Sequence, residues 1–355
     1  MENTESKTLK IKKPFPADQR ANRPKAIRIS QEALIETKLL ESGKMLPLVI
    51  RPAVDGIDLA SWAASNRDFI ETVLLNHGGI LFRDFNVKPI TAFEQFIKAT
   101  SAELLEYRER SSPRHMVSDR IYTSTDYPAN QSIFLHNENS YQQIWPLKIF
   151  FSCMTAAQEG GETPIADTRK VFARISPSTK ERFMQKGWMY VRNFGDGYGL
   201  PWQTVFQTSE KAAVEEYCSR AGIEVYWKDS NRLRTRAVRP AVARHPRTGE
   251  MIWFNHAAFF HASTLESSVY EALVSEFNEE DLPTNTYYGD GSRIEDSVLD
   301  ELREAYRQET VSFPWQQGDI LMLDNMLTAH GRAPFIGPRK IVVGMAEPLG
   351  WKDIQ

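Results

Sequence analysis

A mainly β fold, a barrel or sandwich with helical cover, is predicted by three features of the sequence. Apolar residues fall in many short runs bounded by turn residues rather than in long helical stretches. The few runs with helical spacing do not alternate regularly with strands, as a doubly wound sheet requires. No Gly-rich phosphate loop is present. At 355 residues the chain can bury a substantial core, and 41% hydrophobic with 25% charged residues is the mixture of a soluble globular protein.

The elements follow in order. The first 28 residues carry eight Lys or Arg against three acids and three prolines, a composition with little to bury. Residues 1–45 are therefore expected to form a basic, partly flexible N-terminal arm, and 46–355 one domain. Gly78-Gly79 followed by Ile80, Leu81 and Phe82 reads as a turn entering a buried strand. Ile90, Phe93, Phe96 and Ile97 repeat at helical spacing, so a helix is expected over Pro89 to Thr100 with the proline near its start. Leu147 to Thr155 reads as a core strand, and Gly160 to Asp167 as a turn into a strand. Val214, Tyr217, Cys218 and Ala221 mark the apolar face of a helix ended by Gly222, which makes Cys218 a core residue. Ile223–Lys228 and Leu233–Val238 read as strands. Arg232, Arg234 and Arg236 alternate on one face, continued by Arg239, as the solvated face of an edge strand or a docking patch for an acidic partner. His245 to Gly249 is a turn leading into Met251–Phe254. Ser292 with Glu295 forms a capping-box pattern ahead of Val298, Leu302 and Ala305. Gln316 to Asp319 is a turn feeding the strand Ile320–Leu323.

Composition narrows the function. A net charge of −3 argues against a dedicated nucleic-acid binder. Two cysteines exclude a disulfide scaffold and a cysteine-rich zinc module, and fit a reducing cytoplasm. No apolar run approaches the roughly 18 residues of a membrane span, and Met1 to Arg28 lacks the apolar core of a signal peptide. A cytoplasmic protein without membrane or nucleic-acid partners is the expectation. Zinc-protease His-Glu-x-x-His spacing and the Gly-x-Ser-x-Gly elbow of serine hydrolases are both absent.

The chemistry concentrates elsewhere. His136 and Glu138 stand at i and i+2, so an extended segment projects imidazole and carboxylate to one side, where they can grip one metal ion. With 46 acids and seven histidines such a pair also arises by chance. His330 follows an apolar strand, and Arg339 begins another. Two histidines and one carboxylate occupy one face of an iron centre and leave three positions for a chelating cosubstrate and oxygen. A guanidinium suits the far carboxylate of 2-oxoglutarate, because its planar fork donates two parallel hydrogen bonds. Arg339 is placed for this if its strand runs beside that of His330. Taken singly, His330 reads as a structural histidine, Arg339 as a surface ion pair and Thr163 as a turn residue.

Together, His136-x-Glu138, Gly161-Glu-Thr163 and His330 with Arg339 resemble the taurine dioxygenase (TauD/TfdA) family. The likeness extends to His245-Pro-Arg-Thr-Gly249 with Trp253-Phe-Asn255, and to Gly318-Asp319 leading to Asp324-Asn325; it covers roughly residues 45 to 348. It implies a double-stranded β-helix, a cupin-like jelly roll with lid insertions, and Fe(II), 2-oxoglutarate and O2 as cofactor and cosubstrates. It carries over onto His136, Glu138 and His330 as iron ligands and catalytic centre, and onto Thr163 and Arg339 as partners of the 2-oxoglutarate side-chain carboxylate. Asn255, and less so His256, are expected at the barrel mouth in contact with substrate. Two departures stand out: Glu138 where the family more often has Asp, and Val343 where some members carry a second arginine.

Arg192 to Thr208 and Asn285 to Ser292 resemble a narrower group, the SyrP-like hydroxylases found beside nonribosomal peptide synthetases. That likeness implies hydroxylation of an amino acid or aminoacyl group in antibiotic-type biosynthesis, with a peptidyl carrier protein as partner. Desaturation and hydroxylation of a free small acid stay open. Halogenation is disfavoured, because Glu138 fills the position a chloride would need. The presence of all five iron and cosubstrate positions argues against a non-catalytic binding barrel, and a zinc hydrolase would leave Arg339 and Thr163 without purpose.

Overall fold

The computed structural model describes residues 34–40, 43–102, 104–105, 116–118, 120–124 and 127–354. Most of the expected basic arm, residues 1–33, lies outside them. Ile35–Leu39 pairs antiparallel with Leu48–Pro52, so the sheet begins ahead of the boundary expected at Leu46.

The main sheet has eight strands in the order Ile35–Leu39, Leu48–Pro52, Gly79–Phe82, Ile320–Asp324, Ile144–Thr155, Lys340–Gly350, Ile121–Thr123, Met116–Ser118. All neighbours are antiparallel except Leu48–Pro52 against Gly79–Phe82. Its central strands read as continuous apolar runs because both faces are covered. The two-residue period sorts them: Ile80, Phe82, Phe150, Ile320, Met322 and Val342 pack on the helices Leu59–Ser65, Arg67–His77 and Ile90–Thr100. Leu81, Ile149, Phe151, Leu321, Leu323, Ile341 and Val343 face the other way, into a layer shared with Ile165 of a smaller sheet. The helix Ile90–Thr100 approaches so closely that a Cβ at Gly344 would lie 2.5 Å from Ile97 Cδ1.

The smaller sheet holds Thr328–Arg332 between Ile133–His136 and Ile165–Asp167, all antiparallel. The two facing sheets make a jelly roll, mainly β with flanking helices, and the candidate site lies between them. A separate sheet, Ile223–Trp227, Leu233–Arg239, Trp188–Phe194 and Thr284–Tyr288, carries its own apolar cluster of Phe194, Trp202, Val205, Val214, Cys218 and Leu233. Cys218 is buried there, on the inner face of Lys211–Ala221, and Gly222 ends that helix in the left-handed region.

Two local expectations are corrected. Leu233–Arg239 is an inner strand, flanked on both sides, so its arginines are not an open edge. Arg232 pairs with Asp229 and Asp196, Arg234 with Asp281 and Glu280, and buried Arg239 donates to Ala221 O and Gly222 O at the end of the preceding helix. Arg236 stays exposed, so the face is solvated as expected although the strand is not an edge. Ser292 caps no helix: its N–H and hydroxyl bond Asp290, and the helix Asp296–Glu309 starts later, behind Glu295. No helix among the described residues is long and apolar enough to cross a membrane.

Candidate metal centre

His136 and His330 are directly opposed across the antiparallel ladder of the small sheet, which brings their rings to 4.5 Å between centroids. Glu138 stands two residues beyond the end of its strand and is 3% exposed; His330 is 4% exposed. One donor atom from each of the three residues lies within 4.8 Å of the others. His330 Nε2 and Glu138 Oε2 are 3.6 Å apart, too long for a hydrogen bond. It is the spacing of two donors that share an ion through bonds of about 2.0–2.2 Å.

His136 is in the right state for ligation. His136 Nδ1 donates to Phe134 O at 2.8 Å, which leaves Nε2 deprotonated and turned toward Glu138 and His330. Burial, and the nearby His330 and His256, hold its pKa well below the ordinary histidine value. Phe259 stacks on the ring at 4.6 Å and Phe151 packs on His330 at 5.0 Å, so apolar faces fix both imidazoles. His330 Nδ1 is buried and meets no partner among the described residues. Two imidazoles and a carboxylate are a donor set that fits a divalent iron.

The cavity between the sheets is small, about 30 Å³ of internal space, and polar at both ends. His136 and His330 form one end; Arg339, Thr163, Ser124 and Arg332 form the other; Ile133, Phe151, Ile341 and Val343 are walls between them. Arg339 comes from the start of Lys340–Gly350 in the main sheet. It therefore reaches the cavity from across the barrel, not from a strand beside that of His330, as the sequence reading required. Its Nε donates to Gly161 O at 2.8 Å and its Nη1 to Ser124 Oγ at 3.4 Å. It forms no ion pair with a described residue, and burial beside the positive Arg332 lowers its pKa to about 10. Such a guanidinium is poised for an incoming carboxylate. Gly161 is required here: its φ is +75°, and a Cβ would sit 3.0 Å from Arg339 Cδ. Thr163 Oγ1 accepts from Trp315 Nε1 at 3.1 Å.

Asn255 is not at this cavity. Its Nδ2 donates to Ala241 O at 2.7 Å and its Oδ1 accepts from Ala257 N at 2.9 Å, so its amide is spent on a turn. The expected substrate contact is thus corrected to a structural role. His256 Nε2 bonds Asn137 O at 2.7 Å, in the wall behind the centre, and burial lowers its pKa to about 4. Ser124, Phe151 and Trp315 were not singled out by spacing, whereas Arg332, two residues beyond His330 on one strand, is an alternative carboxylate anchor that the sequence itself offers.

Residues 42–345 match the family described as Taurine catabolism dioxygenase TauD, TfdA family. The chain is 39% identical over 311 residues to the dapdiamide synthesis protein DdaC of Enterobacter agglomerans, covering 84% of this chain and 94% of that protein. In structure it resembles PvcB, an Fe, α-ketoglutarate-dependent oxygenase from an isonitrile synthetic pathway, with a TM-score of 0.51 at 15% identity, covering 88% and 90% of the two chains. A taurine dioxygenase from Burkholderia xenovorans, described as α-ketoglutarate-dependent, aligns with a TM-score of 0.53 at 17% identity over 90% and 92%. The chain belongs to the TauD/TfdA family of dioxygenases.

Proposed function

We propose that His136, Glu138 and His330 hold the iron, that Arg339 and Thr163 bind the far carboxylate of 2-oxoglutarate, and that the enzyme hydroxylates an unactivated carbon of an amino-acid-derived substrate in secondary metabolism. The observation that carries the reaction type is the three-donor cluster whose two histidines line the same cavity as Arg339, a guanidinium with no ion pair to a described residue. When bound, the iron and 2-oxoglutarate supply the oxidising power. The protein's share is placement: the ladder sets two imidazoles, Gly161 makes room for Arg339, and Phe151, Ile341 and Val343 supply apolar wall. Glu138 fills the position that a halide would need, which favours hydroxylation over halogenation.

The substrate class rests on the SyrP-like stretches 192–208 and 285–292 and on the likeness to a dapdiamide synthesis protein. An aminoacyl group carried on a peptidyl carrier protein is the form we favour. Of the arginines of Leu233–Arg239, Arg234 is paired with Asp281 and Arg239 is buried, which leaves Arg236 exposed. Succinate release is the test: amino acids, free and carrier-loaded, are incubated with the iron-loaded enzyme and 2-oxoglutarate, and products are weighed intact. A gain of one oxygen on the loaded carrier alone is expected. Equal turnover of the free amino acid overturns the tethered form. Loss of two hydrogens would replace hydroxylation with desaturation.

A further inference from the structure

Glu138 is the one proposed iron donor without a β-ladder to place it. The strand Ile133–His136 ends before it, and Asn139, just after, takes a left-handed φ of +59°. Buried backbone groups in such a stretch need partners from elsewhere. Asn325 supplies them. Its Oδ1 accepts from Glu138 N at 2.8 Å, and its Nδ2 donates to Glu138 O at 2.9 Å and to Pro146 O at 2.8 Å. One planar amide thus clamps both peptide groups that flank the Glu138 Cα, and Asn325 itself is 0% exposed. Its backbone is held in turn: its N–H donates to Leu147 O at 2.8 Å, and its carbonyl accepts from Asn137 Nδ2 at 2.6 Å.

The clamp is anchored further out. Asp324 Oδ1 accepts from Met326 N and Leu327 N at 2.9 and 3.0 Å, closing the turn that holds Asn325. Its Oδ2 lies 3.0 Å from His245 Nε2. His245 Nδ1 accepts from Thr248 N at 3.1 Å, so Nε2 carries the proton and donates to Asp324. The turn His245–Gly249 therefore reaches Glu138 through two buried side chains.

We infer that Asn325 is a positioning residue for the Glu138 carboxylate, backed by the His245–Asp324 pair; this rests on the reading of Glu138 as an iron donor. The side chain does for Glu138 what cross-strand pairing does for His136 and His330. The test is Co(II) titration of full-length wild type, Asn325→Ala and Asn325→Asp, read by affinity and by the visible Co(II) absorption, beside thermal unfolding of the metal-free proteins. Asn325→Asp keeps the shape but turns an oxygen toward the carbonyls of Glu138 and Pro146. Both variants are expected to unfold cooperatively without metal, to bind Co(II) about 10- to 100-fold more weakly, and to show an altered spectrum, as loss of an outer partner of a ligand does. Wild-type affinity and spectrum in either well-folded variant would overturn the inference. Loss of cooperative unfolding in both overturns it too, because Asn325 would then serve the fold at large. Failure of the wild type to bind Co(II) removes the metal reading itself, and the wild-type arm alone identifies that outcome.

Discussion

At one end of the cavity, donors sit on or beside a single ladder: His136 opposes His330, and Glu138 is clamped two residues on. At the other end a single long side chain reaches across from the opposite sheet, steadied by one carbonyl and one hydroxyl. The first end is built by register, which leaves the donors little freedom. The second is built by tertiary approach, and it depends on a glycine that stands aside. The two ends should therefore fail separately. Substitutions at the metal end should affect metal and chemistry, and those at the arginine end should affect the 2-oxoglutarate requirement.

The largest break is at the metal end. Glu138→Ala removes the only anionic donor of the cluster and should abolish product formation and weaken Co(II) or Fe(II) binding. Substantial hydroxylation by an iron-loaded Glu138→Ala enzyme would sink the donor assignment. Next comes Arg339→Ala. Losing one partner of a buried charge-assisted pair costs about 2–5 kcal/mol, so the KM for 2-oxoglutarate should rise tens- to thousands-fold. The KM for the prime substrate and the Co(II) affinity should stay within a few-fold of wild type. An unchanged 2-oxoglutarate KM would move the anchoring role to Arg332, which lines the same end.

Acidification tests the metal end without a substitution. Buried His136 and His256 both have lowered pKa values, His256 to about 4. The unfolded chain takes up these protons near pH 6.5, before the folded one does, so their contribution opposes folding as pH falls. Stability of the metal-free protein should thus be highest above pH 6.5 and decline from there toward pH 4. Denaturant midpoints measured across that range check the sign, and His256→Gln should flatten the slope. A smaller break lies at the other end. Gly161→Ala puts a side chain at φ +75° and within 3.0 Å of Arg339 Cδ. Left-handed strain should lower folding stability by about 1–2 kcal/mol, and the crowding of Arg339 should raise the 2-oxoglutarate KM with Co(II) affinity unchanged.

The contrast also explains what sequence reading reaches. His136 and His330 meet because ladder register turns spacing into geometry, whereas Glu138, read as part of an extended segment, stands in the turn just beyond its strand. The strands Gly79–Phe82 and Ile320–Asp324 were legible as apolar runs fed by turns. Arg339 was legible as a residue but not as a position, since which sheet carries it depends on strand order, and local spacing says nothing of that. Asn255 misled for a related reason: a polar residue after an apolar strand looks like a site residue, while its amide closes a turn onto Ala241 and Ala257. Of the alternating arginines, Arg232 and Arg234 meet Asp229 and Asp281, while Arg236 keeps the open face that the spacing suggests. Ser124 and Trp315 carried no local signal, because only folding brings them to the cavity or against Thr163.

The finest test of the separation is Trp315→Phe. Trp315 Nε1 donates to Thr163 Oγ1 at 3.1 Å, and Thr163 is 2% exposed. Because that oxygen accepts from the indole, its own hydrogen must point elsewhere, and the cavity it lines offers a bound carboxylate as the acceptor. Phenylalanine keeps most of the apolar volume and removes only the donor, so the Thr163 hydroxyl loses its fixed orientation. A neutral hydrogen bond of this kind contributes about 0.5–1.5 kcal/mol, which predicts a roughly two- to tenfold rise in the 2-oxoglutarate KM. Turnover at saturating 2-oxoglutarate and Co(II) affinity should not move, because no bond at the metal end involves Trp315. If Co(II) affinity fell along with the KM effect, the two ends would be coupled through the wall of Phe151, Ile341 and Val343, and independent construction would be the wrong account of the cavity.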